Sequence, residues 1–328
     1  MMATEKDEVT TVRVITGSGR SGTTWILDAL AAANNMRTVF EPMKTVTRRV
    51  PSYENAYLPR GHSADDLEAF LHQVFAGHFH SIWTDYRVLP ERLSPFPPNV
   101  HSWGSFKGLI RRFETLIRNR QFYSKQFGNP FILVKFIRAN LMIEWLQEKF
   151  NAKVIFVMRH PGAVIESQLR LGGDSWDPYK RLAYYQNSPL FMRDLGERYG
   201  TFLEKSLTPA QANTLIWCIE NQYPLERASP AGYAVFTYEQ LMAQPQQQWA
   251  RVCDALQLSA TPDDAVLNRP SQQASDAWKT QSTASSSESR WMKRLEKNES
   301  AQIQDLLDEL GVDAYRMDNP QPLKEFGS

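Results

Sequence analysis

The sequence predicts an α/β fold in which helices flank a central parallel sheet, and three stretches carry that prediction. Residues 12–16 (VRVIT), 131–137 (FILVKFI) and 152–158 (AKVIFVM) are mainly apolar runs rich in valine, isoleucine and phenylalanine. Such runs are typical of strands that are buried on both faces of a parallel sheet. A helical pattern over residues 141–150 separates the last two runs. The order strand, helix, strand then predicts a right-handed parallel crossover.

The first strand leads into a glycine-rich turn, residues 17–22 (GSGRSG), and then into residues 23–30 (TTWILDAL), whose apolar side chains recur at helical spacing. This layout predicts a phosphate cradle, because backbone N–H groups and the positive end of a helix dipole attract an anion. The turn matches most of a P-loop, but Thr23 occupies the lysine position. The alternative is a glycine turn that only connects a strand to a helix.

The string GSGRSGTTW resembles the 5′-phosphosulfate loop of sulfotransferases that use 3′-phosphoadenosine-5′-phosphosulfate (PAPS). It is closer to the PRSGTT form of the tyrosylprotein, carbohydrate and bacterial enzymes than to the PKSGTTW form of the cytosolic ones. The resemblance implies that one set of loop residues holds the 5′-phosphate and sulfonate: Gly19, Arg20, Ser21, Gly22, Thr23 and Thr24. It also implies that Trp25 stacks on the adenine, although packing in the core explains a tryptophan here equally well.

Glu41 follows a short predicted strand at Val39 and Phe40, and Pro42 ends that strand. Repulsion from an anion bound nearby disfavours the charged carboxylate, which makes it a better proton acceptor. In tyrosylprotein and many carbohydrate sulfotransferases a glutamate at this spacing is the general base, so the resemblance implies that role for Glu41. The alternative is a surface glutamate before a proline.

Lys135 lies in the second apolar run, whose end is expected at the carboxyl edge of the sheet, where open α/β folds bind ligands. In cytosolic sulfotransferases the matching strand ends in Lys-Thr-His. The resemblance therefore implies that Lys135 neutralises charge on the transferring group. Ile137 stands where those enzymes have histidine, and this departure favours Glu41 as the base.

Arg159 follows the third run, and Ser167 comes eight residues later on the next predicted helix. This spacing matches the family's 3′-phosphate motif, and an arginine fork with a hydroxyl suits that phosphate. Residues 234–241 (AVFTYEQL) are predicted as a further strand and resemble the family's YEDL segment, which implies that Tyr238 lies near the adenine. Arg290 precedes a tryptophan that resembles the end of the loop over the 3′-phosphate, which implies a phosphate contact, although the loop's usual glycines and lysines are missing.

We expect one sulfotransferase domain over residues 1–328, with a mostly helical or irregular insertion at 44–130 that binds the acceptor. Residues 172–200 combine glycines, prolines and aromatic residues, which predicts a lid over the acceptor pocket. Trp176, Tyr184 and Tyr185 are candidates to line that pocket, with ordinary packing as the alternative. The polar, serine-rich residues 271–289 predict a flexible loop.

The composition excludes several classes of protein. With a formal net charge of +1, no strong field attracts nucleic acid or an anionic membrane. The two cysteines lie far apart and no CxxC pair is present, which predicts a reducing compartment. No apolar run approaches the roughly 20 residues that span a bilayer, so we expect a soluble cytoplasmic protein. The spacing of His72, His78 and His80 fits no common zinc site, so no metal is expected.

The predicted reaction transfers a sulfonate from PAPS to a hydroxyl or amine of a small-molecule acceptor and releases adenosine 3′,5′-bisphosphate (PAP). The acceptor class stays open between alcohols, phenols, sugars and amines, and the oligomeric state is not predicted. Arg20 and Lys135 would stabilise the developing charge while Glu41 accepts the proton. One alternative is a P-loop small-molecule kinase, which needs magnesium and a lysine at position 23. The other is a non-catalytic nucleotide-binding regulator, which would need no general base.

Overall fold

The computed structural model describes residues 11–47, 49–81, 83–84, 131–267 and 289–326. Within these residues five parallel strands form one sheet in the order β2-β3-β1-β4-β5. The strands are β1 (Arg13–Gly17), β2 (Arg37–Phe40), β3 (Ile132–Ile137), β4 (Lys153–Met158) and β5 (Ala234–Thr237). The central strand is β1, with β2 and β3 on one side of it and β4 and β5 on the other. This confirms the predicted parallel sheet.

The register brings the ends of all five strands to one edge. Gly17 at the end of β1 is aligned with Ile137 of β3 and Val157 of β4. Phe40 is aligned with Lys135, and Met158 with Thr237. The residues that follow the strands therefore share the carboxyl edge, where open parallel sheets bind ligands.

Helices connect the strands and continue beyond them. The described helices are α1 (Thr23–Asn34), α2 (Asp65–Phe75), α3 (Ile143–Phe150), α4 (Pro161–Leu171), α5 (Pro178–Gln186), α6 (Pro189–Leu203), α7 (Pro209–Ala231), α8 (Tyr238–Ala243), α9 (Pro245–Ala255), α10 (Asp264–Leu267) and α11 (Lys297–Glu309). Among these, α4, α5, α6, α7 and α9 begin with proline, which suits the first helical position because the missing N–H has no partner there.

The sheet separates two layers of apolar side chains. Successive strand residues face opposite sides, so Val14 joins one cluster and Ile15 the other. Ile15 packs with Leu27 of α1 and Trp249 of α9, and all three are fully buried or nearly so. Val14 belongs to the larger cluster, which includes side chains of α4, α7 and α11. The rigid sheet edge that results positions the site.

The prediction that residues 234–241 form a strand is wrong beyond Thr237. The Thr237 hydroxyl accepts a hydrogen bond from the Gln240 N–H at 3.2 Å, so α8 begins directly after the strand. A threonine before a helix is a favourable cap, and this local bond ends the strand. Tyr238 therefore stands on the first residue of α8.

Three segments with predicted roles are described to different extents. Of the insertion at 44–130, residues 85–130 lie outside the described residues, and the remainder includes α2. The segment 172–200 contains a 3₁₀ turn at Asp174–Trp176, all of α5 and most of α6, and its motion as a lid stays a prediction. The loop at 271–289 lies outside the described residues except for Ser289. None of the described helices has the length and apolar character needed to cross a bilayer.

Candidate active site

The turn between β1 and α1 is a tight cradle at the centre of the sheet edge. Gly22 directly precedes α1 with φ +91°, and a side chain there would place its Cβ 2.6 Å from the Tyr238 ring. The Ser21 N–H donates to the Ser18 carbonyl at 3.1 Å, which closes the turn. No side chain caps the start of α1. The first N–H groups of α1, which have no partner within the helix, are therefore suited to an anion.

Ser21 supplies a direct sign that the cradle is built for a ligand. Its side chain is fully buried, and its Oγ has no hydrogen-bond partner within the described part of the chain. A buried hydroxyl without a partner costs about 1–3 kcal/mol, and native proteins rarely leave one unpaired. A phosphate or sulfonate oxygen in the cradle would satisfy it.

Two arginines that follow different strands meet beside this cradle. Arg20 Nε donates to Ser167 Oγ at 2.9 Å, and Arg159 Nη1 donates to the Arg20 carbonyl at 3.2 Å. The Arg159 guanidinium lies 4.3 Å from the centre of the Tyr238 ring. Burial, followed by the charge of Arg159, lowers the pKa of Arg20 to about 10. The structure thus brings together four residues that the sequence predicted for the site.

Arg20 and Ser167 were assigned by resemblance to opposite ends of the nucleotide, yet they form a direct hydrogen bond. Arg159 Nε is buried and has no partner among the described residues. An anion beside this pair of arginines would relieve their mutual repulsion and satisfy the unpaired N–H. The residues predicted for the two phosphate sites therefore lie on one continuous cationic surface along α4 and the turn.

Aromatic side chains lie along the same surface. The Trp25 ring meets Tyr238 edge-on at 5.8 Å and Trp249 at 5.2 Å between centroids. Its indole N–H donates to the Leu267 carbonyl at 3.3 Å. These contacts fit ordinary packing, and they also place Trp25 next to Tyr238. Stacking of Trp25 on an adenine stays a prediction.

Glu41 and Lys135 form a buried ion pair at the same edge of the sheet. Lys135 Nζ lies 2.5 Å from Glu41 Oε1, and the two side chains are 2% and 8% exposed. Lys135 stands two residues before the end of β3, and its ammonium also lies 4.4 Å from the centre of the Phe40 ring. Charges at this depth are stable only when paired with good geometry. The structure thus joins the predicted base to the predicted charge-neutralising residue.

Arg138 and Glu54 belong to this part of the site, and the sequence did not reveal them. Arg138 directly follows β3, is buried, and donates to Glu54 Oε1 at 3.1 Å. Glu54 also accepts from Lys44 Nζ at 2.9 Å and from the Thr45 N–H at 2.8 Å. Burial would raise the pKa of Glu54, but the Lys44 charge and the bonds from Lys44 and Thr45 outweigh it and lower the pKa. A cavity of about 10 Å³, room for roughly one water, is lined by both Glu41 and Glu54.

Three charged residues of the site share an uncommon backbone conformation. Arg20, Glu41 and Arg138 have φ values of +77°, +44° and +67°. A left-handed conformation in a residue other than glycine costs roughly 1–3 kcal/mol and is found often at functional sites. Each of the three follows a different strand of the sheet. No residue pattern marks such a conformation, so only the structure could single out Arg138.

The segment after α4 covers the cradle. Trp176 packs against Gly19, and the guanidinium carbon of Arg138 lies 5.7 Å from the centroid of the Trp176 ring. Gln168 also contacts Gly19, because its side-chain amide donates to the Gly19 carbonyl at 3.1 Å. For the other two aromatic candidates, the hydroxyl of Tyr184 donates to the Ser52 carbonyl, and buried Tyr185 donates to Glu220. That they line an acceptor pocket stays a prediction.

A buried cluster surrounds His160, the residue that follows Arg159. His160 Nδ1 accepts from the Gly162 N–H at 3.0 Å, and Nε2 lies 3.0 Å from two carbonyl oxygens of the C-terminal segment, so Nε2 is the protonated nitrogen. Burial lowers the pKa of His160 to about 4. Glu239 accepts from the His160 N–H at 3.0 Å, and Trp291 stacks on the imidazole at 4.3 Å. Arg290 thus lies one residue from a ring that touches α4, while its phosphate contact stays a prediction.

A second, larger cavity is lined by other residues. It measures about 830 Å³ and lies between α7, β5 and the C-terminal segment. None of the predicted catalytic or nucleotide-binding residues lines it. Among the described residues, no group of three or more His, Cys, Asp or Glu side chains is arranged to hold a metal ion.

A protein family and several solved structures match this chain. One of these structures is the sulfotransferase domain from the Synechococcus PCC 7002 olefin synthase, with a TM-score of 0.46 and 16% sequence identity; the match covers 95% of this chain and 99% of that one. Another is the sulfotransferase domain from the curacin biosynthetic pathway, with a TM-score of 0.42 and 17% sequence identity; the match covers 92% of this chain and 97% of that one. No curated protein matched. The family model described as "Sulfotransferase family" matches residues 14–263, from β1 to beyond α9. Because that match covers well over half of the chain, the protein belongs to the sulfotransferase family and is a transferase.

Proposed function

We propose that this enzyme transfers a sulfonate from PAPS to a hydroxyl or amine of a small-molecule acceptor and releases PAP. The observation that carries the proposal is the continuous cationic surface of Arg20, Ser167 and Arg159 next to the cradle. It shares one sheet edge with a buried carboxylate and ammonium, Glu41 and Lys135. An anion site next to a paired base and cation is the arrangement that transfer of a charged group requires.

The residues of the cradle fit the donor. Its 5′-phosphate and sulfonate would accept bonds from the N–H groups of the turn and α1, and from the Ser21 hydroxyl, which lacks a partner within the described residues. Arg159 and Ser167 would hold the 3′-phosphate, whose charge suits the unsatisfied Arg159 Nε. Tyr238 and Trp25 offer aromatic surface to the adenine. When bound, PAPS supplies an activated sulfur with a phosphate leaving group.

Glu41 would accept a proton, and Lys135 would stabilise the charge that develops during transfer. The acceptor oxygen or nitrogen forms a bond to sulfur as the bond from sulfur to the 5′-phosphate oxygen breaks, and Glu41 takes the acceptor proton. Lys135 and Arg20 stabilise the negative charge that develops on the departing oxygen. A positioned base typically contributes about 10²–10⁴ in rate, and one charge-stabilising donor roughly 10²–10³.

Calorimetry tests the donor class. We expect PAP to bind more tightly than ATP, and magnesium to leave PAP binding unchanged. Tighter binding of ATP that depends on magnesium would instead identify a kinase. A screen with ³⁵S-labelled PAPS against pools of alcohols, phenols, sugars and amines then identifies the acceptor by transfer of label, and PAP binding without transfer to any pool would favour a regulator.

A further inference from the structure

Trp176 lies directly on the phosphate cradle. A Cβ added to Gly19 would stand 2.7 Å and 2.8 Å from ring atoms Cζ3 and Cη2, so the six-membered ring of the indole occupies the space beside the glycine α-carbon. Only glycine allows this approach, because any side chain at position 19 would displace the ring. The indole therefore covers the turn that would hold the sulfonate.

The same ring reaches toward the other half of the site. Its centroid lies 5.7 Å from the guanidinium carbon of Arg138, which is anchored by Glu54. Glu54 and Glu41 line one small cavity. Trp176 thus lies between the cradle and the cluster that includes the proposed base, where a transferring group and an acceptor would meet.

A short tether carries Trp176. Gly172 and Gly173 follow α4 with φ values of +55° and +74°, and a Cβ on Gly173 would meet no atom within 4 Å. The Trp176 N–H donates to the Gly173 carbonyl at 3.0 Å, which forms a single 3₁₀ turn before Asp177 caps α5. Two exposed glycines between two helices permit the turn to swing without disturbing either helix.

We propose that Trp176 shields the sulfonate from water, so that transfer goes to the acceptor. This inference rests on the proposed function. Without the indole, a water oxygen forms a bond to sulfur as the bond from sulfur to the 5′-phosphate oxygen breaks, and the products are inorganic sulfate and PAP, with the protons of the water passing to solvent. Exclusion of water from a reactive donor is a general means of preventing this side reaction. Trp176 is then a positioning residue, which acts by closing the site.

The test uses the full chain with Trp176→Ala and Trp176→Phe, and Tyr179→Ala as the matched control. Tyr179 is a 48% exposed aromatic residue on the adjoining helix α5. Sulfate release from ³⁵S-labelled PAPS is measured without any acceptor, and PAP affinity by calorimetry. Hydrogen exchange of the amides of residues 17–25 is measured on the ligand-free proteins. We expect Trp176→Ala to raise acceptor-free sulfate release by about tenfold or more and to speed exchange in the turn, while Trp176→Phe and Tyr179→Ala stay within about twofold of the parent protein.

The outcomes separate this inference from the proposed function. If Trp176→Ala binds PAP like the parent protein but releases sulfate no faster, the inference is overturned and the proposed function stands. If the parent protein does not bind PAP, both are overturned. Melting curves check folding, and Trp176→Leu, which keeps apolar bulk without the ring, replaces the alanine variant if that variant does not fold. Faster sulfate release in the leucine variant supports the inference, and an unchanged rate overturns it.

Discussion

The phosphate-loop side of the site (residues 17–25, Arg159, Ser167 and Tyr238) and the carboxylate side (Glu41, Lys44, Glu54, Lys135 and Arg138) are built in different ways. The first depends on one contiguous turn and on the pair of Arg159 and Ser167. Arg159 directly follows β4, and Ser167 lies on α4, the next helix. The second draws single residues from β3, from the position that follows it and from the segment between β2 and α2. The first side offers backbone N–H groups and two arginines to an anion, whereas the second consists of buried ion pairs. We therefore expect mutations to separate donor binding from proton transfer.

The largest expected effect tests that separation on the carboxylate side. Glu41→Gln removes the proton acceptor while its amide oxygen still accepts from Lys135, so we expect turnover to fall about 10²–10⁴-fold with PAP affinity unchanged. Turnover is measured with the acceptor found by the labelled-donor screen. Glu309→Gln, at an exposed ion pair with Lys205, is the control and should behave like the parent protein. Full turnover in Glu41→Gln would remove Glu41 from the mechanism.

The second prediction concerns His160, which is buried next to Arg159 of the phosphate-loop side. His160 has its pKa lowered to about 4 in the folded protein, whereas an unfolded histidine titrates near 6.5. Between these values the unfolded state binds more protons, so the free energy of unfolding falls as the pH drops from about 6.5 to about 4, by up to about 3 kcal/mol in total. Urea unfolding at several pH values measures this loss.

The control for His160 is His160→Gln, which keeps a side-chain donor but cannot titrate. We expect this variant to lack the histidine part of the pH dependence while other groups still contribute. An identical pH dependence in the variant and the parent protein would show that His160 is not the responsible group.

The third prediction tests donor binding on the phosphate-loop side. Arg159→Ala removes a charged donor from the proposed 3′-phosphate site. A hydrogen bond to a charged group is worth about 1.5–3 kcal/mol, so PAP affinity should fall roughly 10- to 150-fold. Turnover at saturating donor should fall far less. Arg198→Ala, at a surface pair with Glu226, serves as the control in calorimetry. Unchanged PAP affinity in Arg159→Ala would contradict the proposed 3′-phosphate site.

The smallest expected effect is that of Ser167→Ala. The hydroxyl accepts from Arg20 Nε, and a typical hydrogen bond contributes about 1 kcal/mol, which corresponds to a loss of about fivefold in PAP affinity. Ser229→Ala, at an exposed serine near the end of α7, is the matched control. If Ser167→Ala weakened PAP binding more than Arg159→Ala, the charge of Arg159 would not be the dominant contact.

The sequence predicted the phosphate-loop side because its geometry is local. Glycine spacing and apolar strands are visible along the chain, and Arg159 and Ser167 were found by resemblance to a motif whose two residues lie eight positions apart. The structure places them at one edge. Glu41 and Lys135 were found by resemblance, but their ion pair depends on β2 lying next to β3. Arg138 and Glu54 could not be found in this way, because their pairing joins residues 84 positions apart and depends on a left-handed arginine. The segment 234–241 was misjudged because a threonine cap outweighed strand propensity.

The left-handed backbone of Arg20, Glu41 and Arg138 also sets a limit on how stable this enzyme can be. Glycine adopts that conformation without strain, so Arg20→Gly would relieve a cost of about 1 kcal/mol or more while removing a charge from the site. Glu41→Gly or Arg138→Gly would instead leave Lys135 or Glu54 buried without that charged partner, which is strongly destabilising. Selection for heat resistance alone would favour Arg20→Gly, and selection for activity would oppose it. A thermostable but inactive variant is the expected product of a screen that measures folding and ignores turnover.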